Sequence, residues 1–171
     1  MKYSIQDLDR IVKSKLSNRR YLHSLGVAKL AKELALSHNI DPDKAYIAGL
    51  LHDITKEMSD EYQDDLLKKH NDLDKLNAKP KVKHSYTSKY YLLDELGIDD
   101  KDILDAVYNH TICNSVNPLA LIIYIADKRE ENRGINDDIV ATSHKDLKLG
   151  YDMLQKDVDR YLKSKGIKWT I

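Results

Sequence analysis

The chain's 171 residues are enough for about one domain, and 33% charged with 42% apolar residues is typical of a protein that folds around a core. Lysine plus arginine and aspartate plus glutamate both number 28, which argues against nucleic acid or an anionic membrane as partner. With a single cysteine, Cys113, no signal-peptide pattern and no apolar run near the roughly 20 residues of a membrane span, we expect a cytoplasmic protein.

Apolar residues recur at helical spacing along nearly the whole chain, and glycine and proline number only six and three. This pattern predicts an all-α fold. Asp41-Pro42 and Asn117-Pro118 are each typical of an N-cap followed by proline at the first helical position. In chain order, the predicted helices run over about residues 18–38, 41–52, 59–70, 80–97, 99–110, 117–127 and 143–165.

These elements predict one domain over residues 1–171, built as a bundle of six to eight helices. We expect a helical core over about 17–131, a polar and irregular segment over 128–138, and a C-terminal helix over about 143–165. The sequence contains no internal repeat or linker that would divide the domain.

Four of the seven histidines lie on, or at the end of, four separate predicted helices: His23, His52, His84 and His110. Helical bundles build metal sites from side chains that project inward from facing helices. No chemical role is expected of the other three. His38 and His70 lie at predicted helix C-termini, where a partly charged imidazole favours the helix dipole, and His144 lies in a polar stretch at a helix start.

Two aspartates stand in apolar surroundings, where an unpaired carboxylate would be costly. Asp53 follows His52 directly, and Asp127 ends the most apolar run of the chain, although it could instead begin the polar segment and face water. With the four histidines they form a ligand set that suits iron, manganese or zinc and includes no thiolate. Six side chains serve two cations only if one carboxylate bridges, as Asp53 could, so the set indicates a two-metal hydrolytic site.

The same residues resemble the HD-domain metal-dependent phosphohydrolases, whose pattern is a histidine, a His-Asp pair, two further histidines and a final aspartate. Over nearly the whole chain the amino-acid sequence is similar to that of the YqeK-type subgroup of that family. The matching stretches are R-x-x-H-S-x-G-V at 20–27, A-G-L-L-H-D-x-x-K at 48–56, H-S at 84–85, N-H-T at 109–111 and Y-I-A-D at 124–127.

The resemblance implies an enzyme with two iron ions that cleaves diadenosine tetraphosphate symmetrically into two ADP, through a hydroxide activated by both metals. Manganese and zinc are the alternative metals. The implied ligands of one metal are His23, His52, Asp53 and Asp127, and those of the other are Asp53, His84 and His110. We predict Asp53 and Lys56 as catalytic residues, and predict substrate contacts at Arg20, Lys56, Thr111, Arg133 and Trp169.

Physical arguments accompany some of these substrate contacts. Lys56 lies one turn beyond Asp53, where it could contact phosphate, although a lysine at a helix end is solvated as often as it makes such a contact. Arg20 and Arg133 can offer phosphate two parallel N–H donors. Trp169 offers a ring on which a base could stack, or else it anchors the C-terminal segment.

The chain departs from the subgroup in loops that follow the predicted ligands. Ile112-Cys113-Asn114 replaces a glycine-bearing turn, the lysine usual before the Y-I-A-D stretch is absent, and Asp127 is followed by no proline. These differences concern the identity of the nucleotide, so a phosphatase or pyrophosphatase for another nucleotide, including an NAD-related metabolite, is an alternative. A non-enzymatic helical interaction module with core histidines is a second alternative. A homodimer through Tyr90, Tyr91 and Tyr161 stays open.

Overall fold

The computed structural model describes residues 2–131 and 138–167, and every regular element in these two ranges is helical. This confirms the all-α class. The described ranges contain nine α-helices and a short 3₁₀ helix at Leu73–Lys75. In chain order the α-helices are α1 (Ile5–Lys15), α2 (Asn18–Ser37), α3 (Pro42–Leu51), α4 (Asp60–Lys69), α5 (Pro80–Asp94), α6 (Lys101–Asn109), α7 (Pro118–Arg129), α8 (Asp138–Lys145) and α9 (Leu147–Ser164).

The helix starts are encoded locally. Each of the three prolines occupies the first turn of a helix, in α3, α5 and α7. The Asp41 side chain accepts hydrogen bonds from the backbone N–H groups of the first turn of α3, and Asn117 accepts one at the start of α7. Gly97 and Gly166, which follow α5 and α9, have φ of 62° and 65°, the left-handed conformation that glycine adopts at low cost.

The described ranges hold more helices than the expected six to eight, for two reasons. The polar helix α1 was not predicted because its only buried apolar residues are Leu8 and Val12, too few for a clear stripe. The predicted C-terminal helix is also divided into α8 and α9, because Asp146 leaves the helical conformation and its side chain caps α9 at Leu149 N. Helix α7 continues to Arg129, into the segment that was expected to be irregular.

Helices α3 and α7 form the centre of the bundle. Helix α3 packs against α1, α2, α6 and α7, while α7 also contacts α2, α6 and α9. Every side chain from Leu119 to Ala126 in α7 is buried. None of the helices in the described ranges has the length and apolar character needed to cross a bilayer.

The close approach of α2 to α3 depends on Gly49. A Cβ atom at this position would lie 2.7 Å from the Ala28 Cα, so a larger residue would force the two backbones apart. The contact matters for the site, because α2 carries His23 and α3 leads directly into His52 and Asp53.

The three tyrosines considered for a dimer contact differ in exposure. Tyr90 and Tyr91 are 8% and 6% exposed and lie on α5, which packs against α4 and α6. A homodimer through these positions stays a prediction. Tyr161 on α9 is 59% exposed.

Candidate metal centre

The structure brings all six predicted ligands into one cluster near the centre of the bundle. His23 is on α2, His84 on α5 and Asp127 on α7, while His52 and His110 directly follow α3 and α6. Asp53 belongs to the turn that follows α3. Each of the four histidines and Asp53 is at most 9% exposed.

Asp53 lies between two groups of histidines. Its Oδ1 is 2.9 Å from His84 Nε2 and 3.4 Å from His110 Nε2. Its Oδ2 faces the other side, 3.5 Å from His52 Nε2 and 4.0 Å from His23 Nε2. Two sets could each hold a metal ion, one of His23, His52 and Asp53 and the other of Asp53, His84 and His110. Asp53 is common to both, as a bridging carboxylate must be.

Asp127 joins the first of these sets. Its Oδ1 is 3.1 Å from His23 Nε2 and 3.7 Å from His52 Nε2. Its side chain is 13% exposed, so it faces the cluster and not bulk water. The alternative in which Asp127 simply begins a polar surface segment is therefore wrong.

Oxygen acceptors on the protein fix the orientation of three imidazoles. His52 donates from Nδ1 to Gly49 O at 2.6 Å, and His110 donates from Nδ1 to Val107 O at 2.7 Å. His23 Nδ1 lies 3.0 Å from Oε1 of Glu130, a glutamate that is 1% exposed. When Nδ1 carries the proton, Nε2 presents a lone pair, and in all three residues Nε2 points into the cluster.

The sequence analysis missed Glu130. Its position three residues after Asp127, on the same side of a helical turn, is the signal that could have identified it. A carboxylate behind a ligating histidine raises the basicity of the ring and holds its tautomer.

A buried nitrogen without a hydrogen-bond partner in the described ranges, His52 Nε2, indicates whether the cluster could hold a cation. His52 Nε2 is fully buried and has no hydrogen-bond partner among the residues that the structure describes. It nevertheless faces carboxylate oxygens of Asp53 and Asp127 at 3.5 and 3.7 Å. A buried polar nitrogen in this state costs free energy, and a cation between it and the two carboxylates removes that cost. The residues present therefore fit a metal ion.

The protonation states also suit metal ligands. Burial favours the neutral acid at Asp53, but the charge of His52 and the contacts with His110 and His84 hold the pKa of Asp53 well below its usual range. Burial also opposes ionisation of Asp127, yet the charge of Lys128 and the contact with His23 keep its pKa low. Both carboxylates are therefore anionic near neutral pH.

The histidines divide into two kinds. Burial lowers the pKa of His110 to about 4 and lowers that of His84 as well, so both are neutral ligands near pH 7. For His52, burial works against protonation, but the charges of Asp53 and Asp127 outweigh it and raise the pKa. The two carboxylates thus favour a positive charge beside His52, which a metal ion would supply.

Two predicted cationic side chains reach the cluster. Arg20 donates from its guanidinium to Asp53 Oδ2 at 2.9 Å. Lys56 Nζ lies 3.0 Å from His84 Nδ1, and burial lowers its pKa. Thr111, the residue after His110, is half-buried and its hydroxyl is 2.9 Å from the Ser85 hydroxyl. Two further predicted contacts lie outside the described residues: Arg133 and Trp169.

A buried hydroxyl network supports the second set of ligands. Thr55 Oγ1 donates to His84 O at 3.0 Å and lies 2.8 Å from Thr87 Oγ1 and 2.9 Å from Ser88 Oγ. All three hydroxyl residues are fully buried. Because Thr55 is two residues from Asp53, the network ties the turn after α3 to the helix that carries His84.

In this helical protein, five segments of the chain place four histidines and Asp127 around the carboxylate of Asp53. The six residues span most of the chain, from α2 to α7. The chain belongs to the HD domain family, whose model matches residues 20–132. This match confirms the resemblance inferred from the sequence.

Curated relatives carry related names. The chain is 36% identical over 163 residues to a Mycoplasma genitalium protein named "Probable nicotinate-nucleotide adenylyltransferase/Ap4A hydrolase", a match that covers 89% of this chain and 46% of that protein. It is 35% identical over 124 residues to the Bacillus subtilis "Bis(5'-nucleosyl)-tetraphosphatase, symmetrical", covering 71% and 67%. The chain thus spans about half the length of the Mycoplasma relatives that it matches.

A solved structure has the same fold. It comes from Clostridium acetobutylicum and is described as a "predicted HD superfamily hydrolase involved in NAD metabolism". The superposition has a TM-score of 0.84 at 28% sequence identity and covers 99% of this chain and 93% of the other. The whole described bundle, including the helices outside the family match, therefore has a counterpart in a solved HD protein.

Proposed function

We propose that this chain hydrolyses diadenosine tetraphosphate symmetrically to two ADP, with two divalent metal ions bound on either side of Asp53. The observation that carries this proposal is the position of Asp53, whose two carboxylate oxygens face different pairs of histidines at 2.9 to 4.0 Å. The names of the relatives support the choice of substrate.

In this proposal the ligands divide as the distances suggest. One ion is held by His23, His52, Asp53 and Asp127, and the other by Asp53, His84 and His110. Imidazole and carboxylate donors suit iron, manganese or zinc. We propose iron as the metal, on the resemblance to the YqeK-type subgroup.

The chemistry divides between the cations and the side chains. When bound, a pair of divalent cations supplies an activated water and positive charge on both the attacking and the leaving oxygen of a phosphoryl transfer. Hydrolysis breaks the central P–O–P link, so that water contributes an oxygen to one ADP and the other ADP leaves on the bridging oxygen. Arg20 and Lys56 bring positive charge to the same place, where it stabilises the charge that develops on the phosphate oxygens.

A second candidate function is hydrolysis of another nucleotide. The description of the Clostridium structure refers to NAD metabolism, and the name of the Mycoplasma relative refers to a nicotinate nucleotide. These names support a phosphatase or pyrophosphatase for an NAD-related metabolite as the second candidate. The third reading, an interaction module with histidines in its core, leaves the buried and unsatisfied His52 Nε2 unexplained.

The test compares substrates under one set of conditions. Protein purified without chelator and loaded with iron or manganese is offered diadenosine tetraphosphate, NAD and nucleoside diphosphates, and the products are separated by chromatography. We expect ADP as the sole product of the tetraphosphate, with one labelled ADP for each unlabelled ADP when the reaction is run in ¹⁸O water. AMP with ATP, or faster cleavage of another nucleotide, would contradict the proposal.

A pair of histidine variants serves as the internal control. His84→Gln removes a proposed ligand and should abolish hydrolysis. His144→Gln changes a histidine whose ring contacts Ser37, at the C-terminal end of α2 and about four turns from His23, and should leave hydrolysis intact. Equal activity in the two variants would contradict a metal-dependent reaction at this cluster.

A further inference from the structure

Lys128 is a third cation at the cluster, and neither the sequence analysis nor the proposed function assigns it a role. It is the next residue of α7 after Asp127. Its Nζ donates to His110 O at 3.0 Å and to Asp127 Oδ2 at 3.3 Å. One ammonium group therefore touches residues from both proposed ligand sets.

The side chain is held in this direction by its surroundings. Lys128 Nζ lies 3.8 Å from the centroid of the Tyr124 ring, within the range of a cation–π contact. The bond to the backbone oxygen of His110 fixes the ammonium at the end of α6. With 20% of its surface exposed, the side chain is also within reach of a ligand from solvent.

Lys128, Arg20 and Lys56 form a group of like charges around the two carboxylates. Arg20 contacts Asp53, Lys56 contacts His84, and Lys128 contacts Asp127. Like charges repel, so an arrangement of this kind is best stabilised by a ligand that carries several negative charges.

We propose that Lys128 binds a phosphate oxygen of the substrate, on the Asp127 side of the cluster. This inference rests on the proposed function. A bound substrate phosphate would offer this ammonium a further anionic partner beside Asp127 and the His110 carbonyl. Lys56 beside His84 and Lys128 beside Asp127 place one lysine at each ligand set, which suits a chain with two phosphates on either side of the bond that breaks.

The experiment replaces the charge and retains the stem. Lys128→Met keeps a long side chain against Tyr124, and Lys128→Arg keeps the charge. The matched control is Lys89→Met, because Lys89 also lies over tyrosine rings, 5.4 Å from the Tyr90 centroid and 4.8 Å from that of Tyr108, but contacts no proposed ligand. Each protein is assayed for bound manganese, for ADP affinity by calorimetry, and for KM and kcat with diadenosine tetraphosphate.

We expect Lys128→Met to bind wild-type amounts of manganese, to bind ADP about tenfold more weakly and to raise KM about tenfold, while kcat changes less than about threefold. Lys128→Arg should recover most of the ADP affinity, and Lys89→Met should match the wild type. Wild-type ADP affinity in Lys128→Met would overturn the proposal. Loss of bound manganese in that variant would also overturn it, because Lys128 would then act by positioning Asp127.

Direct measurement of ADP binding separates this inference from the proposed function. If the wild-type protein binds ADP and does not cleave the tetraphosphate, the proposed function fails. The difference in ADP affinity between Lys128→Met and Lys89→Met then still decides whether Lys128 contacts phosphate.

Discussion

Replacing Asp53 with asparagine tests the shared-ligand arrangement most directly. The carboxylate offers one oxygen to His84 and His110 and the other to His52 and His23. An amide of the same shape has one oxygen and one NH₂ group, and the NH₂ group is a hydrogen-bond donor that cannot ligate a cation. At least one of the two histidine pairs therefore loses its third ligand atom in Asp53→Asn.

The size of the effect follows from linkage between binding and folding. A ligand that binds only the folded state stabilises it by about 2.7 kcal/mol when its free concentration is 100 times Kd, so two independent sites contribute about 5.4 kcal/mol. For a chain of this length that stabilisation raises Tm by about 10–20 °C. In Asp53→Asn, the metal-dependent rise should be no more than about half of the wild-type value.

The assay is thermal unfolding with and without manganese, combined with metal analysis of the dialysed protein. Asp94→Asn is the matched control, because Asp94 also contacts a histidine, with Oδ2 3.0 Å from His70 Nε2, but lies outside the cluster. We expect two ions per chain in the wild type and in Asp94→Asn, and one or none in Asp53→Asn. Two ions and an undiminished Tm rise in Asp53→Asn would show that Asp53 is not shared.

Three other substitutions probe the surroundings of the cluster. Gly49→Ala places a Cβ 2.7 Å from the Ala28 Cα and should lower the free energy of unfolding by about 1–3 kcal/mol in urea titrations. Thr55→Val removes the hydroxyl bonded to His84 O, so we expect a loss of about 1–3 kcal/mol and about tenfold weaker manganese binding by calorimetry. For Asp94, burial favours the neutral acid, but hydrogen bonds from the neighbouring lysine and histidine lower its pKa. The ionised Asp94 therefore contributes to the free energy of unfolding above its unfolded-state pKa of about 3.9, and this contribution is lost as the pH falls through the folded-state pKa. In urea titrations, Asp94→Asn should lower the free energy of unfolding by about 1 kcal/mol at pH 7 and by almost nothing near pH 2.

The parts of the fold that were predicted correctly depend on local chemistry. Caps such as Asp41 and Asn117 act on backbone groups within three residues, so the sequence alone identifies them. The unexpected boundary between α8 and α9 has a local cap at Asp146, and it also involves a packing contact. Ser143 and Gly150 approach so closely that a Cβ on Gly150 would lie 2.1 Å from the Ser143 hydroxyl. No local pattern reports that contact.

The gathering of the four histidines and two aspartates was predictable for a different reason. Histidine and aspartate are rare in apolar surroundings unless a partner compensates them, so a few such residues on different helices indicate a common site. Glu130 and Lys128 escaped prediction because charged residues in a polar segment are normally solvated. Here Glu130 is buried against His23 and Lys128 reaches across to His110, contacts that arise only from tertiary packing.

The direction of the helices adds to the selectivity of the cluster for charge. His52 and His110 directly follow α3 and α6, and Asp127 lies in the last turn of α7. Three helix C-termini, with their partial negative charge, therefore meet at the proposed metal site. Arg20, in contrast, lies in the first turn of α2, where the partial positive charge of a helix N-terminus favours an anion. The bundle therefore presents electrostatically opposite helix ends to the two components of the proposed reaction.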